Sequence, residues 1–299
     1  MKILVIGACG FIGSNAVKYF RAAGHHVTAC DIIVPAADPD FILLDKPETG
    51  FDILFKKRSY DVCINASGSA TVGISFTNPA HDYLLNTHNV FRILDSIRQL
   101  NPDCKFINFS SAAVYGNPDK LPVTEKQNCS PISPYGFHKL MSENICAEFF
   151  SVYGVPSVSL RVFSAYGCGL KKQLFWDLYQ KTKNSETVEL FGTGNETRDF
   201  IFIDDLLGAV DIIMSKGNFN GGVINVSSGV ETGISDAARI FLSLVNEKLS
   251  LKFNNIQKQG DPLNWRADIS KLRLLGFTSK TTMADGLNQY FVWLKKQAL

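Results

Sequence analysis

The chain has 299 residues, 45% of them hydrophobic and 19% charged, with a formal net charge of +2. That length allows a large core and about two domains. The near-balanced charge removes the global basic excess that would point to nucleic acid or an anionic membrane as partner. No apolar run approaches the roughly 18 residues of a membrane span, and Met1-Lys2 runs into Ile3-Leu4-Val5-Ile6 and Gly7 without a secretory pattern. The seven cysteines are scattered, form no C-x-x-C pair and read as small core residues, so neither a disulfide framework nor a metal site is expected. The expected compartment is the cytoplasm.

In chain order the first strand spans Lys2–Ile6, followed by a helix over Phe11–Ala23 with Ile12, Ala16, Phe20 and Ala23 on one face. Strands follow at His26–Asp31, Phe41–Leu44 and Asp61–Asn65. A helical segment from Pro79 to Leu100 then aligns Leu84, Phe91, Leu94 and Ile97, before strands at Cys104–Ser110 and Ser157–Val162. Strands this apolar, alternating with helices, predict an α/β Rossmann-type fold: a doubly wound parallel sheet covered on both faces. Beyond residue 164 the alternation loosens, and Phe200–Val226 resumes a strand-helix-strand pattern that is expected to return to the main sheet. The expected division is therefore a dinucleotide-binding domain of residues 1–164 and 200–228, with a smaller substrate-binding cap of residues 165–199 and 229–299.

The first strand leads directly into Gly7-Ala-Cys-Gly10-Phe-Ile-Gly13 and then a helix. Gly7 allows a tight turn, Gly10 lets backbone N–H groups approach a pyrophosphate, and Gly13 lets helix and strand pack closely. The N-terminus of that helix, with the backbone at Phe11 and Ile12, then presents its partial positive charge to the phosphates. Asp31 ends the second strand 18 residues after Gly13. A carboxylate there accepts hydrogen bonds from a ribose 2′-hydroxyl and repels a 2′-phosphate, which favours NAD over NADP. Asp45 follows the third strand, where it either reaches the adenine or is solvated.

Tyr135-Gly-Phe-His-Lys139 opens a helix after Pro134 and sets a phenol and an ammonium one turn apart on one face. Free tyrosine, with a pKa of about 10, is a poor base near neutrality. An adjacent cation favours the phenolate. His138, between the two, is expected to face outward and is assigned no role. Upstream lies Ser110-Ser111-Ala112-Ala113-Val114-Tyr115-Gly116 at the end of a strand.

With these motifs stand Asn65-Ala66-Ser67-Gly68, Asn78-Pro79, Asn86, Leu160-Arg161-Val162-Phe163, Tyr166-Gly167, Gly192-x-Gly194-x-x-x-Arg198-Asp199-Phe200, Asp204-Asp205, Gly260-Asp261-Pro262 and Ala267-Asp268. The ordered set resembles the extended short-chain dehydrogenase/reductase family, in its nucleotide-sugar epimerase/dehydratase branch and nearest to members of the UDP-glucose 4-epimerase type. The resemblance implies that Tyr135 is the general acid/base at a sugar hydroxyl, that Lys139 holds the nicotinamide ribose, and that Ser111 hydrogen-bonds the same sugar oxygen. It places Asn65, Ala66, Ser67 and Asn86 along the cofactor and Ser69 beside the substrate. It also gives Arg198 the substrate pyrophosphate, against the plainer reading of a surface ion pair. A homodimer is implied as well, pairing the helices of residues 79–100 and 134–153, with Phe149, Phe150 and Tyr153 either at that interface or in the core.

Relatives that eliminate water carry an acidic residue near positions 112 and 113; here both are alanine, and a methyl group transfers no proton. Two readings remain. One is a nucleotide-sugar 4-epimerase, in which hydride leaves C4 and returns to the other face. The other is a reductase of a nucleotide-linked 4-keto-6-deoxysugar that uses the same residues. Three departures from the epimerase pattern keep the second open: Ser164 replaces an asparagine, Lys258 replaces a phosphate-gripping arginine for which Arg266 could substitute, and Gly169–Gln173 replaces a longer loop.

Overall fold

The computed structural model describes residues 1–33, 38–46 and 50–297. In chain order its strands are β1 Lys2–Ile6, β2 His26–Asp31, β3 Phe41–Leu43, β4 Val62–Asn65, β5 Lys105–Ser111, β6 Ser157–Val162, β7 Ser164–Tyr166, β8 Thr187–Leu190, β9 Thr197–Phe202, β10 Asn220–Val226, β11 Glu231–Gly233 and β12 Ser250–Phe253. Seven of them form one sheet in the order β10-β6-β5-β4-β1-β2-β3, every neighbouring pair parallel. Chain order reverses on either side of β1, which leaves a crevice at the carboxyl ends of β1 and β4.

Alternation along the strands explains why both faces are covered. Ile3, Val5, Val27, Ala29, Val62 and Ile64 pack with Ala16 and Phe20 of the helix Phe11–Ala22 and with Leu206, Val210 and Ile213 of the helix Ile203–Lys216. Leu4, Ile6, Cys30, Cys63 and Phe106 point the other way, against Ile93, Leu94 and Ile97 of the helix Asn89–Leu100 and Phe149 of the helix Pro134–Tyr153. Cys30, Cys63 and Cys104 are buried core thiols, as the sequence predicts.

Three local expectations differ from the structure. Ala23 lies outside the first helix and is exposed. The segment from Pro79 to Leu100 is not one helix: Pro79–Tyr83 passes through a π-helical turn, Leu84–His88, into Asn89–Leu100. Within Asn89–Leu100 successive steps of three residues drift round the helix, so Phe91 falls off the buried face and is 43% exposed while Leu94 and Ile97 are buried. Within 200–226, β10 does join the main sheet, but β9 does not. The position beside β6 is taken by β10, and β9 instead lies between β7 and β11 in a separate three-stranded sheet. A third, two-stranded sheet pairs β8 with β12.

The glycine loop shows how tightly the crevice floor is set. Gly7 adopts φ +81°, and a Cβ on Gly13 would sit 2.0 Å from the Gly7 carbonyl oxygen. Gly13→Ala must therefore displace the loop. Its expected cost is about 2 kcal/mol or more, read as a lower urea midpoint at unchanged m-value, together with loss of dinucleotide binding.

Candidate active site

A cavity of about 260 Å³ opens at the end of β1, lined by Gly7, Cys9, Gly10, Asp31, Ile32, Ile33, Leu44, Phe51, Ala66, Ser67, Gly68, Leu85 and Asn89 among others. The helix Phe11–Ala22 starts at its edge without a side-chain cap, so its first N–H groups are left to a ligand. The Asp31 carboxylate accepts from the backbone N–H groups of Cys9 at 2.8 Å, Ile32 at 2.7 Å and Ile33 at 3.3 Å. This fixes a negative charge at the cavity wall. Asn65 is buried and accepts from the backbone and hydroxyl of Ser67, and so shapes the wall formed by Ala66 and Ser67. Asp45 is exposed and does not line the cavity; its neighbour Leu44 does.

The far end of the cavity meets the reactive residues at Gly68. A Cβ there would lie 2.6 Å from Asn86 Oδ1 and 3.7 Å from Lys139 Nζ. Lys139 is buried and donates from Nζ to the carbonyl of Phe109 at 2.7 Å. Burial pulls its ammonium down to about 8, against the opposing attraction of Asp82 and Glu143. Tyr135 is also buried, with the ammonium 5.8 Å from its ring centroid. Burial pushes its phenol up to about 12, opposed by a hydrogen bond with the Ser111 hydroxyl. The lowering expected from the adjacent lysine together with an oxidised nicotinamide is outweighed by desolvation in the free protein. Ser111 Oγ also accepts from the Ala113 N–H at 3.2 Å, which caps the short turn Ala112–Tyr115 and buries both alanines. Serine, tyrosine and lysine therefore converge, although the two segments lie more than twenty residues apart.

The long helix is anchored beneath this corner by its own polar stripe. Lys139, Ser142, Glu143 and Cys146 all face the sheet. Asn108 donates to Ser142 at 3.0 Å and Ser110 to Glu143 at 2.5 Å. Arg161 forks onto Glu143 through Nε at 2.9 Å and Nη2 at 2.7 Å, and donates to the Tyr115 hydroxyl at 2.9 Å.

Of the residues expected at the substrate, Ser69 is half-buried just beyond Gly68, and Ser164 is half-buried at the start of β7. Arg198 on β9 donates to the carbonyls of Thr197 at 2.8 Å and Leu263 at 3.1 Å, and lies over Trp265 with its guanidinium carbon 5.5 Å from the ring centroid. Burial lowers its pKa, against the pull of Asp261 and Glu196. Its fork is thus oriented by backbone and aromatic contacts, an arrangement that suits capture of an anion. Arg266 is exposed, with Nε 3.4 Å from the Gly229 carbonyl, and Lys258 is exposed near Asp177, whose carboxyl burial pushes up against the attraction of Lys258.

Sequence reasoning did not single out Cys9, Ile32, Ile33, Phe51, Leu85 or Asn89, which reach the cavity through the fold. It also missed His138. That residue is turned inward, with Nδ1 2.6 Å from the fully buried Asp82 carboxylate. Its neighbours Tyr135 and Lys139 occupy the inward face, but the turn packed on the helix supplies a partner for this side too. Among the described residues no cluster of three or more His, Cys, Asp or Glu could hold a metal ion, and no helix is long and apolar enough to cross a membrane.

The cavity fits a dinucleotide: an open helix start, a fixed carboxylate, and two buried carboxamide oxygens, of Asn86 and Asn89, that lack partners among the described residues. The chain is 28% identical over 98% of both chains to "Uncharacterized UDP-glucose epimerase YtcB" of Bacillus subtilis. It is 27% identical to a UDP-glucose 4-epimerase of Azospirillum brasilense, covering 96% of this chain and 89% of that one. Among solved structures it superposes with TM-score 0.89 and 26% identity on UDP-glucuronic acid 4-epimerase from Bacillus cereus in complex with UDP-glucuronic acid and NAD, over 99% of this chain and 100% of that one. Residues 3–227 match the family model for NAD dependent epimerases and dehydratases, and the chain belongs to the NAD dependent epimerase/dehydratase family.

Proposed function

We propose that this protein is a nucleotide-sugar 4-epimerase that uses NAD and passes through a 4-keto sugar. The observation that carries the reading is the meeting of Ser111, Tyr135 and Lys139 at the end of the dinucleotide cavity, beside Ala112 and Ala113 where an eliminating enzyme needs an acid. Bound there, NAD supplies a hydride acceptor and donor at sugar C4. Tyr135 takes the O4 proton as the carbonyl forms and returns it to O4 after the ring has turned. Ser111 holds that oxygen through its hydroxyl, and Lys139 holds the nicotinamide ribose with its ammonium near the phenol. Asp31 takes the adenosine ribose hydroxyls, with Gly7, Gly10, Gly13, Phe11 and Ile12 around the pyrophosphate. Arg198 grips the substrate diphosphate, with Arg266 and Lys258 at the rim. The names of the relatives make UDP-linked hexoses the first substrates to try.

We also infer a homodimer through the helices Asn89–Leu100 and Pro134–Tyr153. Phe91 and Tyr153 are 43% and 50% exposed there, the first packed edge-on and the second tilted against the ring of Phe149, and Met141 is exposed on the same long helix. Light scattering should give twice the chain mass, and a monomer after Phe91→Glu.

Denatured, freshly purified protein is expected to release NAD in near-equal molar amount, and the enzyme to interconvert 4-epimeric UDP-hexoses without added cofactor. An empty protein that consumes NADH or NADPH with a 4-keto sugar would establish the reductase instead. Tyr135→Phe should lower turnover by about 10²–10⁴-fold with NAD binding kept. Arg198→Ala should raise KM by about 10–100-fold through loss of charge-assisted hydrogen bonds. The folded pKa of Lys139 lies below its ordinary value, so the ammonium persists below about 8 and is lost as pH rises through it. NAD affinity of the free protein should therefore fall across that range, and stay flat in Lys139→Met.

A further inference from the structure

Asp82 is fully buried, yet the proposed chemistry gives it nothing to do. It closes the helix Pro79–Tyr83, directly before the π-helical turn Leu84–His88. Its two carboxylate oxygens serve different partners. Oδ2 lies 2.6 Å from His138 Nδ1, and Oδ1 accepts from Asn86 Nδ2 at 3.1 Å. The His138 ring stacks edge-on against Tyr83, and its backbone carbonyl accepts from the Thr87 hydroxyl at 3.0 Å, so the pair is clamped from both sides.

Two consequences follow. An amide nitrogen committed to Asp82 forces the Asn86 oxygen the other way, toward Gly68 and the Lys139 side of the cavity, where it has no partner among the described residues. The carboxylate also acts on the reactive pair: it attracts the Lys139 ammonium and disfavours the Tyr135 phenolate. The other ionisable groups around the ammonium are Glu143 and Cys146 on the same long helix. The adjoining helix Val72–Thr77, with sequence VGISFT, brings no ionisable side chain.

We propose that Asp82, gripped by His138, is a positioning residue of the active site, which aims the Asn86 carboxamide at the cofactor and faces Lys139 with a negative charge. It acts through Asn86 and Lys139 and touches no reacting atom. The inference rests on the assignment of Lys139 and Asn86 to the cofactor, but its first measurement needs neither cofactor nor turnover.

In the free protein, the ¹³Cε resonance of Lys139, assigned with Lys139→Met, reports loss of the proton directly. Asp82→Asn keeps the shape and removes the charge. It should move that titration down by about one pH unit, in the range known for an opposite charge nearby, and weaken NAD about tenfold by calorimetry. A merely structural Asp82 would change the melting temperature and leave the titration in place, which would overturn the proposal. If Asp82→Asn does not fold, the pair His138→Ala and His138→Gln decides. The alanine strips a donor from the buried carboxylate and should shift the titration downward, whereas glutamine retains a donor and should restore it. Identical titrations in the two would overturn the role of His138. Because the protein is titrated without ligands, failure of the 4-epimerase reading would leave this result intact.

Discussion

An ammonium held almost without water at the end of β5 is the constraint around which the active corner is built. Isolating such a charge costs several kcal/mol even after relaxation, and only a fixed set of oxygens offsets it here. The Phe109 carbonyl takes one N–H directly, while Asp82 and Glu143 supply the field. None of the three could move far without stranding the charge, so strand, long helix and π-turn must dock in one arrangement. Glu143 ties this requirement to the sheet. It is already paired with Arg161, which also holds Tyr115, whose hydroxyl donates to Asn225 at 2.7 Å on β10. A chain of buried hydrogen bonds, charge-assisted at Arg161 and Glu143, thus runs from β10 through β6 to the helix that carries Tyr135 and Lys139.

The burial that orders this corner also works against its chemistry in the free protein. A phenol pushed up to about 12 gives up its proton less readily than tyrosine in water, so less phenolate is present to act as base. The ligands must supply what the protein alone withholds: positive charge beside the ring, and a sugar oxygen that shares its proton. In the proposed epimerase, turnover would thereby be tied to full occupancy, limiting loss of a reactive keto sugar to solvent. The methyl groups of Ala112 and Ala113 fit the same logic, since they close the wall without offering another proton donor.

Most of the scaffold was legible because its signals are local. Strand bounds lie within a residue of expectation for the six strands of the first half, and Gly7, Gly10 and Gly13 mark the loop through spacing alone. Tyr135 and Lys139 share a helix face, and Ser111 sits at a strand end, so each was visible in its own segment. What stayed hidden depends on three-dimensional contact. His138 and Asp82 are 56 residues apart, and their pairing depends on a π-turn that hydrophobic periodicity does not mark. The same turn separates Leu84 from the helix that carries Phe91, Leu94 and Ile97. β9 was misplaced for a different reason. Its apolar residues suit a central parallel strand, and only competition from β10 for the edge beside β6 assigns it elsewhere.

That displaced strand explains how one fold can keep its chemistry while varying its substrate. Arg198 rides on β9, whose partners are β7 and β11, outside the seven-stranded sheet that fixes Ser111 and Lys139. Its orientation comes from the Thr197 and Leu263 carbonyls and from Trp265, whose indole N–H is itself anchored 3.0 Å from the Gly116 carbonyl. Gly116 directly follows the turn that Ser111 caps. The Arg198 guanidinium and the Ser111 hydroxyl are thus linked through one tryptophan and one short turn. Around this fixed pair, Lys258 and Arg266 are exposed and held by few contacts. Under the proposed function, changes at those positions would alter which nucleotide-sugar is held while the seven-stranded sheet stays undisturbed.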